Sequence, residues 1–226
     1  MLNQEISLNF SRTIVSNYMF FKTKVKGYIG KYQLQDWWKD CFSKEERDYI
    51  VEKYKPLTFG VEESPGSLLI NGDPILNVSI CSFLGGMANW FQSKTDIDYS
   101  IGCRFIEKSK FYESSLKDIF EKHFYFDGLI QFFYKFRDLK EGALELSIEA
   151  CESQIDFAEA SKNAFLIAYP DSVLVSHNGF DQLSIIELNR GNYQRCIDLC
   201  KLAMGQGWSG NWEFRIKKSM NKLGLK

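Results

Sequence analysis

Along residues 178–206, apolar side chains recur at helical spacing in two runs separated by a short polar break. Phe180, Leu183 and Ile186 mark one face of a first helix. Arg190-Gly191-Asn192 interrupts it, and Tyr193, Cys196, Ile197, Cys200, Ala203 and Met204 mark a second. Two short helices of this kind cannot bury their apolar faces alone. The small residues Ser184, Cys196 and Ala203 fall where helices must approach closely, and Gly191 supplies the freedom that the turn needs. Upstream, Leu144, Ile148, Cys151, Ile155 and Ala158 follow one another at steps of four, three, four and three. That period predicts one helix running on to about Lys162, with a connector through Tyr169-Pro170-Asp171.

The same reading places further elements on either side. Ser43 and Glu46 form a capping box ahead of a helix over Glu45–Tyr54, which Pro56 ends. Asp73-Pro74 opens a helix reaching about Gln92, and Thr95-Asp96 caps the next, whose Ile97, Ile101 and Phe105 repeat every four residues. These two form a hairpin. A closing helix over about 211–222 carries Trp212, Ile216 and Met220 on one face, with Ser209 as its cap. Residues 56–73, rich in proline and glycine, read as a linker between an N-terminal helical region, 1–72, and a helical-hairpin domain, 73–226. Residues 14–32 stay undecided, because Lys22, Lys24 and Lys26 alternate as in an exposed strand.

Leu183 followed by Ser184, the turn Gly191-Asn192-Tyr193, the pair Cys196-Ile197, and then Cys200 and Ala203 have the joint spacing of one helical-hairpin repeat. In this the segment 178–207 resembles a tetratricopeptide repeat. It departs from the family at Phe180, where tryptophan is usual, at Glu187, which replaces a tyrosine, and at Trp208, near the expected closing proline. A weaker copy over about 123–161 lies 53 residues earlier: Ile130 stands for Leu183, Tyr134 for Glu187, Asp138 for Gly191, Ala143-Leu144 for Cys196-Ile197, and Ser147 and Ala150 for Cys200 and Ala203. The resemblance implies a mostly all-α protein whose hairpins stack as a short right-handed tetratricopeptide-like solenoid, with 211–222 as its capping helix. It also implies a non-catalytic module that binds a protein or peptide segment in the groove lined by the first helices. The family's groove positions fall on Asn178, Asp181, Gln182 and Asn189, and in the weaker copy on Tyr125, Phe132 and Lys135. Under this reading Asp181→Lys spares folding and weakens partner capture.

Composition narrows the alternatives. A chain of 226 residues, 45% hydrophobic with four prolines, is long enough to bury about 70–75% of its unfolded surface. Its 28 basic and 29 acidic side chains leave no overall field to attract nucleic acid or an anionic membrane. The longest apolar run, Ala164 to Tyr169, falls far short of the roughly 20 residues of a membrane span. The start, MLNQEISLNFSRT, lacks the basic cluster and apolar stretch of a secretory signal, so a cytoplasmic location is expected. The six cysteines sit within helical patterns and read as reduced thiols.

Candidate chemistry is sparse. Only His123 and His177 are available to a histidine-based site, and neither lies in a motif. Cys196 and Cys200 stand one helical turn apart but lack further ligands nearby. Glu141, Glu145, Glu149 and Glu152 lie opposite the apolar stripe of their helix, as a solvated face does. Gly205-x-Gly207-x-x-Gly210 follows a helix, not the strand that a phosphate-binding loop requires. No cofactor, metal or catalytic residue is therefore expected. Two other readings remain: an assembly subunit that self-associates or docks on a partner enzyme through Trp37, Trp38 or Trp90, and an enzyme using His123 with Asp127 or Glu121.

Overall fold

The computed structural model describes residues 25–56, 66–74 and 77–225; most of the undecided stretch 14–32 lies outside them. Among the described residues are twelve α-helices, a single turn of 3-10 helix and no strand, so the fold is all-α. The chain divides into two compact units at 76/77.

The first unit contains α1 (Gly27–Lys31), α2 (Gln35–Cys41), α3 (Lys44–Lys53) and α4 (Ser67–Ile70). The capping box forms at the start of α3: the Glu46 amide donates to Ser43 Oγ at 3.2 Å, and the Ser43 amide donates to the Glu46 carboxylate at 2.9 Å. Two otherwise orphaned donors are thereby satisfied. The backbone amides of Lys26 and Gly27 donate to the carbonyls of Ile70 and Gly72, joining α1 to the α4 turn. Ile29, Trp38, Phe42, Ile50 and Leu69 are buried.

In the second unit are α5 (Ile80–Ala88), α6 (Asp96–Lys110), α7 (Ile119–Phe136), α8 (Ala143–Ile155), α9 (Ala158–Ala168), α10 (Asn178–Arg190), α11 (Tyr193–Gln206) and α12 (Trp212–Lys222). Most packing runs between neighbours: α5 on α6 and α7, α7 on α8, α8 on α10, α10 on α11, and α11 on α12. The first helices of the two expected repeats, α7 and α10, also touch directly, as do α10 and α12. One core cluster centres on Phe126, Ile130, Phe132 and Phe136; a second gathers Phe180, Cys196, Cys200, Ala203, Trp208 and Trp212. All six cysteines are free.

The α10–α11 turn has the chemistry that its sequence implies. Gly191 adopts φ 82°, which costs a residue with a Cβ more than it costs glycine. The Asn192 amide then reaches back 2.9 Å to the Glu187 carbonyl, closing the helix end. The Asn192 side chain donates to the buried Glu187 carboxylate at 2.7 Å, so Glu187 helps to hold this turn together. Ala203, fully buried, packs in the second cluster. We expect Ala203→Trp to cost at least about 1–3 kcal/mol by overpacking; an unchanged thermal unfolding curve would remove the close contact assigned to it.

Three helix boundaries and one cap differ from the sequence reading. The helix expected from Asp73-Pro74 starts only at Ile80, because Ser79 provides a better cap: its Oγ accepts from the Ser82 amide at 3.1 Å while the Glu121 carboxylate accepts from its own amide. It also ends at Ala88, short of Gln92. The helix expected to run to Lys162 ends at Ile155, and α9 starts anew at Ala158. Phe157, at the break, packs on Phe126 and lies beneath the Lys122 ammonium. Tertiary contact overrides a sequence with no glycine or proline there. Ser209 does not cap α12; its hydroxyl donates to the Leu174 carbonyl, tying the 169–177 connector to the turn before α12.

Candidate binding face of the first helices

The contact between α7 and α10 is anchored by a polar pair. Asp127 accepts from the Asn178 side-chain amide, and its other oxygen accepts from Gln131 Nε2 at 2.9 Å. Burial pushes the Asp127 carboxyl up from the usual carboxylate range, while the two amide bonds pull it back. From this pair, steps of three and four residues lead along α7 to Phe124, Gln131 and Lys135 and along α10 to Gln182, Ile185 and Asn189. Phe124, Gln131, Lys135 and Asn189 are exposed; Gln182 and Ile185 are half-buried. Gln182 Nε2 has no hydrogen-bond partner among the described residues. The resulting face is carboxamide-rich, with an aromatic ring at one end and a cation at the other.

The sequence-predicted site residues separate into two groups. Asn178, Gln182, Asn189 and Lys135 lie on this face. Phe132 and Tyr125 do not: Phe132 is fully buried against Tyr99 and Phe136, and Tyr125 is buried with its hydroxyl 2.9 Å from Ser109 Oγ. In the segment expected to form the weaker repeat, α5 and α6 pack on the side of α7 that would otherwise be open, and this turns both rings into core. Asp181 faces α12, where its carboxylate pairs with Arg215. Phe124, Asp127, Gln131 and Ile185 were missed by residue matching. Stepping along each helix from Asn178 and Lys135 would have found them.

The two histidines meet in a separate cluster. His123 on α7 and His177 before α10 are both buried, with ring centroids 5.1 Å apart. Phe165 of α9 and Trp208 pack on them. Gln154 bridges the cluster's backbone, donating to the His123 carbonyl at 2.9 Å and accepting from the Gly179 amide at 2.6 Å. His177 Nδ1 accepts from the Phe180 amide and so caps α10. Burial holds His123 down to about 4 and His177 down to about 3, the latter also through the neighbouring His123.

The alternative anchors and the enzyme reading can be placed as well. Trp38 is buried, whereas Trp37 and Trp90 are half-buried. His123 meets neither proposed acid: Asp127 is bonded to Asn178 and Gln131, and Glu121 to Ser79 and Ser82. Glu141 lies in the turn before α8, and two of the three carboxylates on that helix are paired, Glu145 with Arg190 and Glu152 with Arg195. Among the described residues no group of three or more His, Cys, Asp or Glu side chains could hold a metal, and no helix is long and apolar enough to cross a membrane. No protein-family model, curated protein or solved structure matches the chain.

Proposed function

We infer that the second unit is a tetratricopeptide-like stack that binds an extended protein or peptide segment along the face of α7 and α10. The observation that carries this reading is the Asp127–Asn178 bond. It joins the two helices side by side, with Gln131 and Gln182 one turn away from it and Asn189 at the far end of α10. Side-chain carboxamides offer both donors and acceptors, which suits them to the backbone of an extended peptide. Phe124 adds apolar area, and Lys135 favours an acidic residue in the ligand. The direct α7–α10 and α10–α12 contacts support a reading as stacked hairpins, with α12 as the terminator.

The test is a peptide array probed with the wild-type chain and with a Lys135→Glu/Asn189→Lys variant. Both positions are exposed, so the variant is expected to unfold at the wild-type temperature, since such surface changes usually cost under about 0.5 kcal/mol. Peptides with an acidic residue are expected to lose signal by about tenfold or more. Identical array profiles for the two proteins would overturn the assignment.

A second reading rests on a different observation. Ile167, Tyr169, Val173 and Val175 are large apolar side chains left exposed near the end of α9, and Phe165, Tyr169 and residues 172–175 surround a cavity of about 160 Å³. Exposed apolar area of this kind marks association surfaces. It favours an assembly role, which a concentration-dependent change in sedimentation, lost in Ile167→Asp/Val173→Asp, would reveal.

A further inference from the structure

Helix α9 is an addition to the hairpin pattern. It lies between the second helix of one pair and the first helix of the next, separated from α8 by the Asp156-Phe157 break and from α10 by the 169–177 connector. It folds back onto α7, where Phe165 meets Phe120 at 4.8 Å and His123 at 5.4 Å between ring centroids. Ala158, Ser161 and Phe165 share its inner face by helical spacing.

Polar groups beneath α9 are incompletely satisfied: Phe165 packs on His123 and Trp208, and His177 lies behind these two. His123 Nδ1, His177 Nε2 and Ser161 Oγ are all buried without a hydrogen-bond partner among the described residues. Each such group carries a desolvation cost that exposure to water would relieve. On the outer side of α9, Leu166 and Ile167 face solvent and add no packing. The cluster is not built for a metal: while His177 Nδ1 accepts from the Phe180 amide, a neutral ring carries its proton on Nε2 and has no lone pair to offer there.

We propose that α9 is a latch, closed over the His123–His177 pair near neutral pH and released by acidification. Opening leaves the helical stack in place and uncovers an apolar floor formed by Phe120, His123 and Trp208. Closure requires both rings to be neutral, because no carboxylate offsets a charge on either. On α7, Asp127 and Glu121 are bonded elsewhere and Lys122 lies over Phe157. On α9, Lys162 pairs with Glu159; on α10, Asp181 pairs with Arg215; Asp156 and Asp171 are exposed.

The sign follows from where protons bind. A histidine released to water regains an ordinary pKa of about 6.5, whereas the closed pair titrates only at about 4 and about 3. The open state therefore binds more protons at every pH below about 6.5, and closure is lost progressively as pH falls from there through the closed-state values. Between pH 7 and pH 5, opening gains about 25-fold per histidine, or several-hundred-fold for both.

Amide hydrogen exchange on the whole chain, corrected for the intrinsic pH dependence, tests the latch. The α9 amides are expected to exchange faster than those of α8, α10 and α11 at pH 7, and to lose protection by a further factor of about a hundred or more at pH 5. His123→Phe and His177→Asn, the latter retaining a capping side chain, should each remove about 25-fold of that response, and together all of it. Equal protection of α9 at both pH values overturns the proposal. So does loss of protection in α8, α10 and α11 by the same factor, or an unchanged pH response in both variants.

Discussion

Replacing Phe132 with alanine is expected to lower the unfolding free energy by about 3–5 kcal/mol. The ring has no exposed surface. It stacks on Tyr99 at 5.9 Å and packs against Phe133 and Phe136 at 5.3 and 5.2 Å. Its fit against α6 depends on Gly102, where a Cβ would stand 2.3 Å from the ring edge. Truncation leaves a void lined by other rings, which cannot collapse around a missing neighbour without moving whole helices. At the 2–4 °C per kcal/mol typical of chains this size, the melting temperature should fall by about 10 °C. A groove contact would behave otherwise: truncation would leave stability within about 0.5 kcal/mol and weaken ligand capture alone. A thermal scan of Phe132→Ala therefore distinguishes core from groove.

Phe132 also shows where the sequence stops being informative. Helical period is a local property, and it located α3, α6, α10, α11 and α12 because their apolar steps, and for α3 and α6 their caps, lie within each segment. The capping box of Ser43 and Glu46 and the Gly191 turn required no distant partner. The start of α5 depended on Glu121, forty-two residues beyond Ser79, and the break before α9 depended on Phe157 finding Phe126. Neither contact leaves a mark in local spacing.

The proposed face was legible to the extent that a helix repeats itself. Asn178, Gln182 and Asn189 fall on one stripe of α10, as their spacing of four and seven residues implies. Phe132 and Tyr125 were assigned by matching positions to a repeat whose neighbours were unknown; with α5 packed against α7, the open side of that helix is narrower than in an isolated hairpin. The meeting of His123 with His177, fifty-four positions apart, follows from α10 packing on α7 and α8, with Gln154 bridging their backbones. Such long-range packing leaves no mark in local spacing.

Asp181→Lys, which the sequence reading treated as harmless to the fold, is expected to destabilise the second unit by about 3 kcal/mol. Arg215 on α12 is buried, its guanidinium bonded to the Asp181 carboxylate and to Ser184 Oγ at 3.0 Å and set over the Trp212 ring at 5.1 Å. Removing one partner of a buried pair costs about 3–5 kcal/mol because the other charge is left uncompensated, and a lysine adds repulsion. Asp181 keeps 30% of its side chain exposed, so water screens part of that penalty and holds the expectation near the lower end. The decisive comparison is a double variant, Asp181→Leu/Arg215→Met, which removes both charges and leaves apolar groups of similar reach. It is expected to unfold in urea within about 1 kcal/mol of wild type, since apolar replacements of buried ion pairs are often neutral or stabilising. If Asp181→Lys unfolds at the wild-type midpoint, the pair does not hold α12 in place. If it unfolds early while the double variant does not, lost partner capture in Asp181→Lys reports on α12, and binding has to be tested at Lys135 and Asn189 instead.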